Sequence, residues 1–543
     1  MLKKQQLACS ILGMIVSMVP ILSAEGKTYD ESAVKNRVQI IDKLVQKKET
    51  SNVPELRHEV ILPVYQSSMT GTKLSSLYGT FIYGPSAEYT INSQGNSTFS
   101  MNANTNYSTS RNDASLVMVV QGKMTVLSQG DNSLIFQDRT PLAEGDGVSS
   151  LRTYDALYTD GGTVSLTGNS NRIIHGAAGV DDSHVIARES RAIAVNNGGS
   201  ILLEAKSGDN EVSSYRRATY SPAAIVSYIN RGVNQGSVRS LDAVVTMRAP
   251  EGTNYVTYQS DSMLDQSRAF GLYSYSYWPE TQDADYLALS KPNGTSQIVL
   301  EGKSNVIRGE GKGGAEYLHS VDASAWGSIL LHASENNNTI TVGTVGPKAS
   351  AQGIYTKYHG KVTLQADKGS NEVAILPYTV SAGGAYAVES HSGTIEMQAP
   401  EGNNKITILP HQKEAKAAYD GIGKDLPDKA KYSGIYSHGE QAKIALSGEN
   451  NLIITDVDAL DMGDNAIGNG ISAADLGNVT LNAKDSNVIQ ATTQAVYSQN
   501  GTILIKGSEN QIHGEQNALY AISTDPQKGS QISVSGQALI TSG

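Results

Sequence analysis

Short runs of alternating apolar and polar residues recur along the chain, and each run leads to an asparagine that is followed within two positions by an apolar residue. Two copies read TMRAPEGTNYV (residues 246–256) and EMQAPEGNNKI (residues 396–406). Successive side chains of a strand point to opposite faces, so each run predicts a short strand with one buried face. The unit occurs eleven times, and its asparagine is Asn132, Asn171, Asn210, Asn254, Asn305, Asn338, Asn371, Asn404, Asn451, Asn487 or Asn510.

A third element lies upstream in each unit, where an apolar residue is followed by tyrosine, as at Ile354-Tyr355 and Ile435-Tyr436. One unit therefore predicts three short strands: the apolar–Tyr pair, a Gly-initiated alternating run that often ends at alanine, and the segment that begins at the asparagine. The runs are too short and too rich in β-branched residues for helices, and Gly and Asn separate them.

The spacing of the asparagines varies, from 23 residues (Asn487 to Asn510) to 51 residues (Asn254 to Asn305), while the core of the unit stays constant. Recurrence every few tens of residues is typical of a stacked array. One unit alone buries too few apolar side chains to compensate the conformational entropy lost when it is ordered, and its strand edges are unpaired. Stacking removes both problems, so the pattern predicts an all-β parallel β-helix, a solenoid of about a dozen coils, over residues 115–543.

The asparagine suits a corner of each coil for two reasons. Asparagine tolerates positive φ better than other non-glycine residues. Its amide can also bond to the same amide one coil away, which predicts an asparagine ladder. The alternative is that asparagine only marks loops in a chain rich in Gly and Asn.

The first residues predict export. Lys3 and Lys4 precede an apolar stretch over residues 7–22, and Ser23-Ala24 provides a small-residue exit, so residues 1–24 resemble a secretory signal peptide. A membrane anchor is the alternative. Cys9 is the single cysteine, so the exported product would have no disulfide or thiolate chemistry. The formal net charge of −11 argues against a nucleic-acid partner.

Two segments precede the array. Residues 25–60 are predicted to form a helical or linker segment, because Val34, Val38 and Ile41 have helical spacing. Such a helix would cover the first coil or, alternatively, bind a partner. Residues 61–114 are a polar lead-in that could contain a degenerate first coil.

With these features the chain resembles the passenger domain of a bacterial autotransporter, of the pertactin and haemagglutinin-like adhesin kind. The resemblance implies a right-handed β-helix at the cell surface of a Gram-negative-type bacterium, or a secreted product. Members of that family usually end in an outer-membrane β-barrel, which this sequence lacks, since it stops in mid-repeat at SGQALITSG. The expectation is a fragment of a longer chain, with export through a missing or separate barrel.

Candidate catalytic residues are few in this sequence. A carbohydrate-active β-helix enzyme would need clustered carboxylates, and the best candidate is Asp181, Asp182 and His184 in VDDSHV. A solvated loop is the favoured explanation of that stretch, because no matching acidic pair follows one period later. No catalytic residue, cofactor or metal site is predicted.

Two insertions stretch the repeat. The first contains aromatic residues that either pack on the rod or form an exposed platform for sugars or a host protein. The second, residues 411–432, has dense mixed charge and is predicted to be a solvated loop. The aromatic residues of the first insertion are Tyr273, Tyr275, Tyr277, Trp278 and Tyr286.

Together these features predict a non-enzymatic, adhesin-like surface protein that displays loops on a β-helical rod. Its expected partners are a host surface protein, a glycan or like cells. A carbohydrate-active polysaccharide lyase or hydrolase is one alternative, and a self-association or biofilm protein is another.

Overall fold

The computed structural model describes residues 65–543, except for residues 70–71, 77–79, 84–86, 104–112, 139–150, 177–186, 216–220, 230–241, 261–267, 277–293, 313–316, 347–348, 422, 424, 461, 463–464 and 526. The predicted signal peptide (residues 1–24) and the predicted N-terminal helical segment (residues 25–60) lie outside the described residues.

The described chain is almost all β, and its strands form two parallel sheets. The smaller sheet has 13 strands, which contain the apolar–Tyr elements of the repeat. Its strands are Thr80–Tyr83, Asp113–Val120, Leu151–Asp160, Ala187–Asn196, Ser221–Tyr228, Arg268–Tyr275, Tyr317–Ser324, Ser350–Lys357, Ala385–His391, Ala430–His438, Ala466–Ala474, Gln494–Gln499 and Asn517–Ile522.

The larger sheet has 21 strands, which contain the alternating runs and the asparagine segments, either as separate strands or as one long strand. Its strands are Tyr65–Met69, Thr72–Ser76, Glu88–Ser93, Ser97–Ala103, Lys123–Ser128, Asn132–Asp138, Thr163–Gly168, Asn171–His175, Ser200–Ala205, Asn210–Ser214, Ala243–Ser260, Ser296–Lys312, Ser328–Ala333, Asn338–Val345, Lys361–Ala366, Asn371–Ile375, Thr394–Ile408, Lys443–Thr455, Asn478–Ala491, Thr502–Gly514 and Gln531–Ser542.

Successive coils pair in parallel, with equivalent positions of the repeat opposite one another. Leu331 lies opposite Leu364, and Leu364 lies opposite Met397. The chain therefore returns to the same place once per coil, and the predicted parallel β-helix is confirmed. The right-handed sense stays a prediction.

A single hydrophobic column fills the interior. In the strand Lys361–Ala366 the inward side chains Val362, Leu364 and Ala366 are buried, while the residues between them are not. The same alternation repeats in each coil, and the buried side chains form one core cluster from Ile82 to Ala518. This continuous interior is what a single unit could not provide.

Strands of the 13-stranded sheet bend at a position that is occupied by a small residue in most coils, although Leu116 takes it in one of the first. Phe270 and Tyr273 stack with ring centroids 4.1 Å apart, although residues three apart in a regular strand face opposite ways. Gly271 lies at the bend between them. At the equivalent Gly353, a Cβ atom would lie 2.5 Å from the carbonyl oxygen of Ala387. The bend brings the side chains on both sides of it to the outer face of the sheet.

The stacking begins earlier than the predicted boundary at residue 115. Strands Tyr65–Met69 and Thr72–Ser76 already pair with Glu88–Ser93 and Ser97–Ala103, so the polar lead-in contributes coils of its own. The degenerate first coil suggested for this lead-in falls here, and it lacks the repeat's asparagine because Ser97 lies opposite Asn132 and takes its place.

The predicted solvated loop over residues 411–432 is wrong, because Gln412–Gly421 is an α-helix that packs on the rod. Ala415 and Tyr419, one turn apart, are buried. The Tyr419 hydroxyl lies 2.6 Å from the carbonyl oxygen of Val380 and 2.9 Å from that of Gly346. No helix in the described ranges is long and apolar enough to cross a lipid bilayer.

Candidate binding face

The structure brings all eleven repeat asparagines into one ladder along the rod. The Nδ2 atom of each donates to the Oδ1 atom of the next at 2.8–2.9 Å, in an unbroken file from Asn132 to Asn510. All eleven side chains are buried. The ladder therefore ties neighbouring coils together inside the rod and offers no surface to a ligand.

One of the two reasons given for asparagine at this corner is wrong. None of the eleven has positive φ; such residues lie at a different corner, between the two sheets, as at Asn197 (φ 40°) and His359 (φ 65°). The amide itself explains the choice. Asn338, for example, bonds to Asn371 and also donates to the carbonyl oxygen of Gln365 at 2.8 Å, so one side chain satisfies two buried acceptors.

Of the two alternatives for the first insertion, Tyr273 packs on the rod and is not part of an exposed platform. That side chain is 6 % exposed and packs on Phe270 in a small cluster on the outside of the 13-stranded sheet. Tyr275 stacks on Tyr228, with ring centroids 5.4 Å apart. Tyr273 therefore follows the packing alternative. The other three members of the platform, Tyr277, Trp278 and Tyr286, lie outside the described residues.

The candidate catalytic group Asp181, Asp182 and His184 also lies outside the described residues. Within the ranges that are described, no three His, Cys, Asp or Glu side chains are grouped so as to hold a metal ion.

Further along the 13-stranded sheet, one outward position alternates between tyrosine and a shorter polar residue as far as Tyr497, after which Tyr520 follows directly. Parallel register places the residues of this column opposite one another in successive coils. In order, the column is Tyr273, Asp322, Tyr355, Glu389, Tyr436, Ser472, Tyr497 and Tyr520.

Neighbouring columns add further rings on the same side. Tyr386 lies 5.4 Å from Tyr436, and His391 lies 5.7 Å from Tyr355 and 5.9 Å from Tyr436, measured between ring centroids. We call this surface the aromatic face. It comprises Gln352, Tyr355, Tyr386, Glu389, His391, Tyr436, His438, Asn469, Ser472, Tyr497 and Tyr520.

The side chains of this column become more accessible along the rod. Asp322 is buried, and its carboxylate accepts hydrogen bonds from His319 Nδ1 and Ser324 Oγ, both at 2.6 Å. From Tyr355 onward the tyrosines are partly accessible, and Tyr520 is exposed. The aromatic face therefore starts at the strand Ser350–Lys357, where the packed cluster ends.

Recessed oxygens on the aromatic face have no protein partner. Glu389 is 5 % exposed, and its Oε1 accepts from His391 Nε2 at 2.7 Å, while its Oε2 is unpaired. Gln352 Oε1, Ser472 Oγ and Asn469 Oδ1 are likewise buried atoms without a hydrogen-bond partner. A buried acceptor without a partner costs about 1–3 kcal/mol, so these atoms are suited to accept hydrogen bonds from a bound molecule.

Tyr355 and Tyr436 on the aromatic face stay protonated at neutral pH, because their pKa values are raised. Burial raises the pKa of Tyr436 to about 12, and the carboxylates of Glu389 and Asp475 act in the same direction. Burial, with Glu389 and Asp322, raises the pKa of Tyr355 well above its usual value. Both residues therefore present a neutral ring and a hydroxyl donor.

The fold and the aromatic face define a parallel β-helical solenoid with a polar–aromatic strip along one side. Comparisons with protein-family models, curated proteins and solved structures find no match for this chain. Sequence reasoning missed the strip, although the apolar–Tyr pairs at Tyr355, Tyr436, Tyr497 and Tyr520 were its visible signal.

Proposed function

We propose that the protein is an exported, adhesin-like and non-enzymatic rod that binds an external molecule through the aromatic face. The observation that carries the proposal is the combination of accessible rings with recessed, unpaired acceptors on one continuous surface. Rings supply apolar contact area at a low cost in conformational entropy, and the acceptors supply orientation. A bound molecule would pair atoms such as Glu389 Oε2 and Gln352 Oε1, which have no partner within the protein.

The arrangement of carboxylates favours binding over the alternative of a carbohydrate-active enzyme. Asp322 and Glu389 lie two coils apart, and His319 and Ser324 already occupy both oxygens of Asp322. Acid–base hydrolysis needs two carboxyl groups that can reach the same bond and a water. Both oxygens of Asp322 already accept hydrogen bonds within the protein, so this carboxylate does not suit that role.

Export and display complete the proposal. Residues 1–24 resemble a signal peptide, which would direct export. A rod of stacked coils would then hold the aromatic face at a distance from the cell surface. The partner would be a host surface protein, a glycan or a like cell, and a missing or separate β-barrel would supply passage through the outer membrane.

Binding of the purified full chain to host cells, extracellular matrix, immobilised glycans and cells of the producing strain tests the proposal. The double variant Tyr355→Ala/Tyr436→Ala should lose binding. The matched control is Tyr255→Ala, which removes a tyrosine that is 40 % exposed on the 21-stranded sheet. Binding by the double variant at the wild-type level would overturn the assignment to the aromatic face.

A further inference from the structure

We infer that the ligand of the aromatic face is an extended, uncharged, β-linked polysaccharide that lies along the axis of the rod. This inference rests on the proposed function and names its ligand class. Three features support it: the repeat distance of the rings, the place of the unpaired acceptors and the sign of the local charge.

Within the column, the three tyrosines Tyr355, Tyr436 and Tyr497 recur every second coil, and Tyr520 follows in the very next coil. The intervening coil between Tyr355 and Tyr436 contributes the His391 ring from a neighbouring column. Tyr355 and Tyr436 are separated by the coil that contains Glu389, and Tyr436 and Tyr497 by the coil that contains Ser472. Coils of a parallel β-helix are about 4.7–4.9 Å apart, so the rings repeat at about 9.4–9.8 Å. A disaccharide unit of an extended β-1,4-linked chain has closely that length. Two residues of an extended peptide span only about 6.6–6.8 Å and would lose register with the rings.

The recessed acceptors lie between the rings, where such a chain would place its polar groups. Within the column, Glu389 and Ser472 each lie between two tyrosines, and both side chains are buried with an unpaired oxygen. Stacked sugar rings present C–H groups to the tyrosines, and their hydroxyl or acetamido N–H groups are donors for these oxygens. Gln352 and Asn469, in the adjacent column, add two more acceptors.

The charges that face the rings select against an acidic ligand. The carboxylates of Glu389 and Asp475 lie near Tyr436, and those of Glu389 and Asp322 lie near Tyr355. The positive charges of Arg268 and of Lys357, which is in the column of His391, offset only part of this negative charge. The whole chain carries a formal charge of −11. Acidic polysaccharides and nucleic acids would be repelled, whereas a neutral chain pays no such penalty.

Isothermal titration calorimetry with β-1,4-linked oligosaccharides tests the inference. Cello- and chito-oligosaccharides of two, four and six sugars are compared with a hyaluronan hexasaccharide as the acidic chain of equal length. Affinity should rise at each added disaccharide, and hyaluronan should bind more weakly. Tyr436→Ala should weaken binding of the hexasaccharides about tenfold, as expected for loss of an aromatic anchor. Tyr436→Phe keeps the ring and should retain most of the affinity, and Tyr255→Ala is the control outside the face.

Three results would overturn the inference: no binding of either neutral hexasaccharide, an affinity that does not depend on chain length, or preference for hyaluronan or an extended peptide. Circular dichroism of each variant separates loss of binding from loss of fold. If the double variant loses binding to cells while no neutral oligosaccharide binds, the proposed function stands and the ligand class is wrong. If the double variant still binds cells, the proposed function itself fails.

Discussion

The side-chain amide of Asn338 donates a hydrogen bond to Asn371 Oδ1 at 2.8 Å, although the two residues are 33 positions apart in the chain. Asn371 does the same to Asn404 at 2.9 Å. Each asparagine is therefore both donor and acceptor, and loss of one member leaves a buried donor on one side and buried acceptors on the other.

Replacement of Asn371 by alanine should destabilise the rod. The change leaves Asn338 Nδ2 with one partner fewer and deprives Asn404 Oδ1 and the Gln398 carbonyl of a donor. At about 1–3 kcal/mol for each unsatisfied buried group, we expect a loss of several kcal/mol. Urea unfolding measures it. Asn336→Ala, at an exposed position two residues before Asn338, is the control and should change stability by less than about 0.5 kcal/mol. Equal effects of the two substitutions would contradict a structural role for the ladder.

A buried ion pair joins two coils at the outer face of the 13-stranded sheet. Arg191 Nε and Nη2 donate to the two carboxylate oxygens of Asp155 at 2.8 and 3.0 Å, and both residues are buried. Arg191→Ala should cost about 3–5 kcal/mol, because it leaves a buried carboxylate without its charged partner. The pair Arg172–Glu211 is largely exposed, so Arg172→Ala should cost at most about 1 kcal/mol.

Thermal unfolding of these two variants, of Asp155→Ala and of the double variant Asp155→Ala/Arg191→Ala checks the argument. The double variant should be more stable than Arg191→Ala, since no unpaired buried charge remains. A double variant that is less stable by the sum of both single losses would show that the ion pair is not the cause.

A methyl group at the strand bend should be harmful. In Gly353→Ala the new Cβ would lie 2.5 Å from a backbone oxygen and 2.6 Å from Val373 Cγ1, so the neighbouring coil must shift. Overpacking of this kind costs about 1–3 kcal/mol. Gly421→Ala is the matched control, because nothing lies within 4 Å of its Cβ position at the end of the α-helix. Urea midpoints should fall for the first variant and stay level or rise slightly for the second; a fall in both would contradict the steric argument.

Alkaline pH should weaken the fold through Tyr436. Its pKa is raised to about 12 in the folded protein, above the value of about 10 for an unfolded tyrosine, so the protonated form is favoured in the native state. The associated stability is complete below about pH 10 and is lost as the pH rises towards 12. Urea unfolding at a series of pH values should show a shallower alkaline decline in Tyr436→Phe than in the wild type. Identical slopes would contradict the raised pKa.

The sequence by itself determined the repeat unit, its three strands, the inward apolar positions and the eleven asparagines. These features depend on periods and offsets within some fifteen residues, and alternation in a strand is a local property. The wrong prediction for residues 411–432 also arose from local sequence. The helix Gln412–Gly421 looked like a charged loop, since few of its side chains contact the rod, chiefly the buried Ala415 and Tyr419 and the partly buried Ala418.

Only the tertiary structure decided which residues become neighbours across coils. Connections between equivalent asparagines vary from 23 to 51 residues, so the sequence does not reveal that Tyr355 lies beside Glu389 and Glu389 beside Tyr436. The bend at Gly353 is equally hidden, because the atom that excludes a side chain there belongs to another coil. The aromatic face arises from these pairings between distant segments, and backbone register, rather than local preference, sets them.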